Sequence, residues 1–196
     1  MKKISDEKLK NIVDEVVSSV MTDMPSLQQN VAALDNENKV ESQFSEGSFR
    51  SVALGADHGG FDLKEELKTF LKKKAYKVED CGTHSTESVD YPDFAKIVAS
   101  KVRSGEVWRG IIVDGAGIGS CMAANKVPGV RAAMCYDYAT AYNSREHNNA
   151  NVLTLGAGLI GSNLAKQIVN TFLETDFAGG RHKRRIEKIM EIENEY

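Results

Sequence analysis

Ile111-Ile112-Val113, followed by Asp114-Gly115-Ala116-Gly117-Ile118-Gly119-Ser120, is the stretch that most narrows the choice of fold. Three β-branched residues with no polar interruption read as a strand buried on both faces. Glycines at alternate positions then let the backbone take positive φ and come close to another backbone or a ligand. Cys121 to Lys126 reads as the start of a helix of small residues. A strand, a glycine turn and a helix start together let successive N–H groups form an anion cradle. In an open α/β sheet they also mark the ligand side, outside the strand's carboxyl end. The same stretch is compatible with a tight turn that holds no ligand. Its G-x-G-x-G spacing is not the dinucleotide fingerprint G-x-G-x-x-G, so it gives no support for a nicotinamide cofactor.

The chain on either side alternates between strand and helix patterns. Residues 51–55 read as a first strand, followed by the loop Asp57-His58-Gly59-Gly60 and a helix over 61–74 through Leu63, Leu67, Phe70 and Leu71. Residues 76–81 read as a second strand, and a polar loop then ends at Asp90-Tyr91-Pro92. The next helix places Phe94, Ile97, Val98 and Val102 inward. Strands are expected over 130–135 and 151–155, helices over 137–146 and 161–174, and a last helix from the basic run Arg181 to Lys188. The pattern predicts a doubly wound, Rossmann-like parallel sheet of five strands with helices on both faces. Right-handed crossovers bring the carboxyl ends of the strands to one edge, with Asp57, His58, Asp114 and the glycine loop on it.

Residues 1–24 read as a separate amphipathic helix and 25–48 as a polar linker, leaving 49–196 as the main domain. Leu9, Ile12, Val13, Val16, Val17, Val20 and Met21 form one apolar stripe between residues 5 and 22. Such a stripe fits docking on its own domain, on a sister subunit or in a partner's groove. Its polar face is mixed in sign, which disfavours a membrane surface. No apolar run reaches the length of a membrane span. A net charge of −3 argues against a general nucleic-acid binder. Three cysteines without metal-ligand spacing point to a reduced, cytoplasmic setting and to no metal site.

His58, His147 and His182 lie in polar loops, and Arg181 and Arg185 are spaced i, i+4, which suits two-pronged binding of a phosphate. A basic run is equally compatible with a solvated helix face. Taken together, Gly55-Ala56-Asp57-His58-Gly59-Gly60, Val89-Asp90-Tyr91-Pro92, Gly117-Ile118-Gly119, the run from Ala123 to Gly129, the run from Arg145 to Leu153, and Gly179-Gly180-Arg181-His182 resemble the ribose-5-phosphate isomerase type B and galactose-6-phosphate isomerase family. The resemblance implies an aldose–ketose isomerase that moves a proton between C1 and C2 of a sugar phosphate through an enediolate. It implies no cofactor, and a homodimer or homotetramer with active sites between subunits. By the same resemblance His147 opens the sugar ring, Asp57 and Asn148 bind sugar oxygens, and Gly115, Gly117 and Gly119 belong to the loop that supplies N–H donors. His58, Arg181 and Arg185 contact the phosphate, and Tyr91 lines the pocket. The N-terminal helix resembles peptides that direct enzymes into bacterial microcompartments, through their shell or cargo proteins.

The chain departs from that family where the chemistry is done. Asp114 stands where most members have a cysteine base, Ala116 where a threonine or serine assists ring opening, and Gly158 where a phosphate-binding arginine is expected. Ser120 occupies the other base position, a glutamate elsewhere in the family. Asp114 is the first candidate for the base. Cys121 is the second, as a thiol in a first helical turn, though it is equally readable as a small core residue. The A subunit of galactose-6-phosphate isomerase also carries aspartate at the position of Asp114. That keeps open a catalytically altered subunit that needs a sister chain.

Overall fold

The computed structural model describes residues 51–195. The expected helix over 1–24 and linker over 25–48 lie outside the described residues. In chain order the elements are β1 (Ser51–Ala56), a 3-10 turn (His58–Gly60), α1 (Phe61–Lys73), β2 (Lys77–Asp80), α2 (Tyr91–Arg103) and β3 (Arg109–Asp114). They continue with α3 (Ile118–Ala124), β4 (Ala132–Met134), α4 (Tyr138–Glu146), β5 (Val152–Gly156), α5 (Ser162–Glu174) and α6 (Arg181–Glu193). The five strands form one parallel sheet in the order β2-β1-β3-β5-β4. This is the doubly wound sheet expected from the alternation of patterns.

Both faces of the sheet are covered, which is why β1, β3 and β5 are buried along their whole length. On one face Val52, Leu54, Ile111, Val113, Leu153 and Leu155 pack with Leu63, Leu67 and Leu71 of α1, Ala141 of α4, and Ile168 and Phe172 of α5. On the other, Ala53, Ile112 and Val152 meet Ala95, Val98 and Ala99 of α2 and Ala124 of α3. That second layer is close-set, since a Cβ at Gly55 or Gly110 would stand 2.8 or 2.6 Å from a Val98 methyl. The closeness corrects one expectation. Ile97 is not inward but 42% exposed, and small Ala95 and Ala99 share the seam with Val98.

β4 is an edge strand of three residues, shorter than the sequence pattern suggests. The Asn125 side chain explains where it stops being an open edge. Its Nδ2 donates to the Ala132 carbonyl (2.9 Å) and its Oδ1 accepts from the Ala132 N–H (2.8 Å), as a neighbouring strand would. At the opposite edge, β2 carries Asp80. Its carboxylate accepts from the fully buried Lys64 ammonium (2.8 Å) and from Lys68 (2.6 Å). Lys64 also lies 2.7 Å from Glu65.

Candidate active site

The strand registers put the ends of β1, β3 and β5 level, with Ala56 beside Val113 and Asp114 beside Gly156. Asp57 follows directly from β1. Its N–H donates to Val113 O (3.2 Å), and its carboxylate accepts the Gly60 N–H (3.0 Å), which closes the turn. Gly60 has no room for a side chain, because a Cβ would meet Val113 O at 2.2 Å. The absence of that atom lets the loop sit on the end of β3. Gly59 then comes against Gly115, its Cβ position 3.6 Å from the Gly115 nitrogen. His58 is exposed, its Nδ1 3.2 Å from the Val89 backbone. Tyr91, exposed at the start of α2, lies over Gly119, where a Cβ would be 2.5 Å from the ring. Asp57, His58, Tyr91 and the glycine loop therefore share one edge of the sheet.

Asp114 occupies the middle of this edge and is 4% exposed. Its carboxylate accepts the N–H groups of Ala116 (2.8 Å), Gly117 and Ser120 (3.0 Å). Gly117, at φ +79°, makes the reversal possible, and its carbonyl accepts the Thr154 hydroxyl (2.8 Å). Tyr136 O–H donates to Ala116 O (3.0 Å), and the N–H groups of Ala157 and Gly158 donate to Asp114 O (2.8 Å) and Gly115 O (3.0 Å). The cradle is thus rigid, but Asp114 takes up part of it. The N–H groups of Gly115, Ile118 and Gly119 are left without an acceptor among the described residues. At Gly115 a Cβ would have nothing within 4 Å, so the loop is open there.

Cys121 is not placed as an activated thiol. Its Sγ points under α3 to Ala132 O (3.4 Å), away from the cradle, and burial pushes the thiol above its ordinary range. Desolvation outweighs the pull of the helix start that the sequence suggested. Ser120, at the other base position, is fully buried, and its hydroxyl has no partner among the described residues.

The remaining candidates gather elsewhere. His147 caps the end of α4, and Asn148 follows it, its amide donating to Asn143 Oδ1 (3.1 Å). The buried Arg145 guanidinium bonds Asn149 Oδ1 (2.9 Å) and Thr175 O (3.2 Å), tying this corner to the chain after α5. Ala178 N–H donates to Glu146 O (2.9 Å). Gly179 and Gly180, at φ +62° and +54°, then turn the chain into α6. Arg181 and Arg185 are exposed on the first turns of that helix. His182 stacks on His147 with ring centroids 4.1 Å apart and planes 5° from parallel. Burial, His147, Arg181 and Arg185 together push the His182 imidazole below its ordinary range.

The two groups lie at opposite edges. Gly110 pairs with Val152, so the chain entering β5 is four residues upstream of Asp114 along the strands, roughly 13 Å. Helix α6 ends where Glu193 accepts the Gly129 N–H (2.9 Å), ahead of β4. One chain therefore presents an anion cradle at the carboxyl edge and a histidine–arginine cluster at the amino edge. The pairing of His182 and Glu146 with His147 was not legible in the sequence. Only the i, i+4 spacing of Asn143 and His147 hinted at a built environment for that ring. Among the described residues no group of three or more His, Cys, Asp or Glu is placed to hold a metal ion.

A doubly wound sheet with a glycine cradle at its strand ends defines an open α/β protein that takes a small anionic ligand at its rim. The particular family follows from comparison: the chain belongs to the ribose/galactose isomerase family, whose model matches residues 52–189. Ribose-5-phosphate isomerase B of Escherichia coli is 44% identical over 144 residues, covering 74% of this chain and 97% of that protein. D-erythrulose-4-phosphate isomerase of Pectobacterium atrosepticum is 42% identical over 146 residues, covering 74% of this chain and 96% of that one. The solved structure of Clostridium thermocellum ribose-5-phosphate isomerase B is 54% identical, with a TM-score of 0.74 over 74% of this chain and 99% of that one.

Proposed function

We propose that this chain is an aldose–ketose isomerase of a sugar phosphate, a pentose 5-phosphate or hexose 6-phosphate, working in a homodimer or homotetramer at sites shared between copies. The observation that carries the reading is the split: donors for an enediolate at one edge, an imidazole and two arginines at the other. A second copy supplies what each edge lacks. Arg181, Arg185 and His58 hold the phosphate, so that binding far from the reacting carbons fixes C1 and C2. His147 opens the sugar ring, with Asp57 and Asn148 on sugar oxygens and Tyr91 against the chain. Asp114 takes the C2 proton. The N–H groups of Gly115 and Gly119 bind the enediolate oxygens as charge develops. A proton passes from the C2 hydroxyl to O1, and the carboxyl returns its own to C1, leaving the ketose.

One observation favours a second reading. Asp114 already receives three N–H bonds, which commit its lone pairs to its own loop. A chain so arranged would bind the sugar phosphate and depend on a sister subunit for the base. Solvent-deuterium exchange across a panel of sugar phosphates separates the two. Deuterium entering C1 or C2 with the purified chain, and lost in Asp114→Asn, supports the isomerase with this base. Exchange that survives intact in that variant removes Asp114 as base. Binding without exchange until a sister chain is added selects the second reading.

Residues before 52 lie ahead of the family match, and 74% of this chain is enough to match 97% of the Escherichia coli relative and 99% of the Clostridium thermocellum structure. We read residues 5–22 as a tag for microcompartment shell or cargo proteins. The enzyme would then work in the cytoplasm, inside such a compartment. A fluorescent protein carrying residues 1–24 should collect in the compartments, and diffuse fluorescence would reject the tag.

A further inference from the structure

An imidazole that moves a proton must keep one tautomer and one orientation. The surroundings of His147 do both. Asn143 Nδ2 lies 2.7 Å from His147 Nδ1 and donates to it, so the ring proton sits on Nε2. His147 Nε2 is 3.0 Å from Glu146 Oε2, within ion-pair distance on the side of the ring that carries the proton. Glu146 is held in turn, its other oxygen accepting the Tyr142 hydroxyl (2.7 Å). Over the face of the ring lies His182, parallel at 4.1 Å. The groups around the stack are Glu146 from α4 and Arg181 and Arg185 from α6, and Arg181 Nε is 3.4 Å from His182 Nε2. Burial first, then His147 and the two arginines, push the His182 imidazole below its ordinary range, while His147 has the Glu146 carboxylate beside it.

We propose that Glu146 and His182 are positioning residues for His147, and that a Glu146–His147 pair under a flat stacked ring, rather than a lone histidine, handles the proton of ring opening. The inference rests on the isomerase reading. Nδ1 takes the proton from the C1 hydroxyl of the cyclic sugar, the hydroxyl displacing the Asn143 amide. The C1–O1 carbonyl forms as the bond from C1 to the ring oxygen breaks. That oxygen keeps the electron pair and receives the same proton back. Glu146 stabilises the imidazolium that exists between the two transfers.

The test uses the full-length protein and two substrates, a pentose 5-phosphate and its 4-deoxy analogue, which cannot close a furanose ring. Glu146→Gln and His182→Ala should each lower kcat about tenfold on the cyclic substrate with KM little changed, and leave the open-chain analogue untouched. His182→Phe, which keeps a flat ring, should retain most of the activity. Equal losses on both substrates, or full activity in both variants, would overturn the proposal. Imidazole 15N shifts read the pair without turnover: the wild type should show His147 protonated on Nε2, and Glu146→Gln a mixture of tautomers. A wild type protonated on Nδ1 also overturns it. A protein that turns over no sugar phosphate, yet shows the Nε2–H tautomer and its loss in Glu146→Gln, would retire the isomerase reading and leave the pairing standing.

Discussion

Lys64 has no exposed side-chain surface, and its charge is tolerable only because Asp80 and Glu65 face it. Burial pushes the Asp80 carboxyl up, but Lys64, Lys68 and the Gly82 N–H more than offset this and hold it at about 2. A carboxyl lower in the folded than in the unfolded chain stabilises the fold above its unfolded value and stops doing so as pH falls through the folded one. Urea unfolding should therefore show stability declining from pH about 4 toward about 2. Asp80→Asn should flatten that decline and cost about 2 kcal/mol at neutral pH, Lys64 keeping only Glu65. Little of this was visible in the sequence, where Lys64 is one charge among several on an amphipathic helix. The edge positions of Asp57, His58 and Asp114 were legible, because residues ending strands of a parallel sheet have one place to go. What Asp114 touches was not. Three N–H groups converge on it through the reversal at Gly117, and the run Asp-Gly-Ala-Gly does not distinguish a carboxylate aimed outward from one folded into its own loop.

At the scale of elements, Asn125, which caps α3, ties that helix to β4 by satisfying both backbone groups of Ala132. Asn125→Ala should cost about 1–2 kcal/mol in chemical denaturation and expose a strand edge that promotes aggregation on heating. Light scattering during a thermal ramp reads the second effect, and an unchanged onset would mean the edge is covered in another way. The strands and helices themselves were legible from periodicity to within a residue or two at most ends. The exceptions have physical causes. β4 is short because side chains take over the pairing at its start. Ile97 faces outward because α2 sits so close above Gly55 and Gly110 that only small residues fit the seam.

At the scale of the molecule, two incomplete edges predict complementation. Asp114→Asn damages one edge and His147→Asn the other. Chains of the two variants, co-refolded, should recover about a quarter of wild-type turnover, since half of random dimers are mixed and each mixed dimer has one intact site. Sites built within single chains would recover nothing. Placing the cradle and the histidine–arginine cluster at opposite ends of the same parallel strands has a kinetic corollary. On the shared-site reading a solitary chain is inert, and turnover per chain rises with the amount of protein until dimers saturate. Dilution would then switch the enzyme off without unfolding it, and confinement at high local concentration would keep it on.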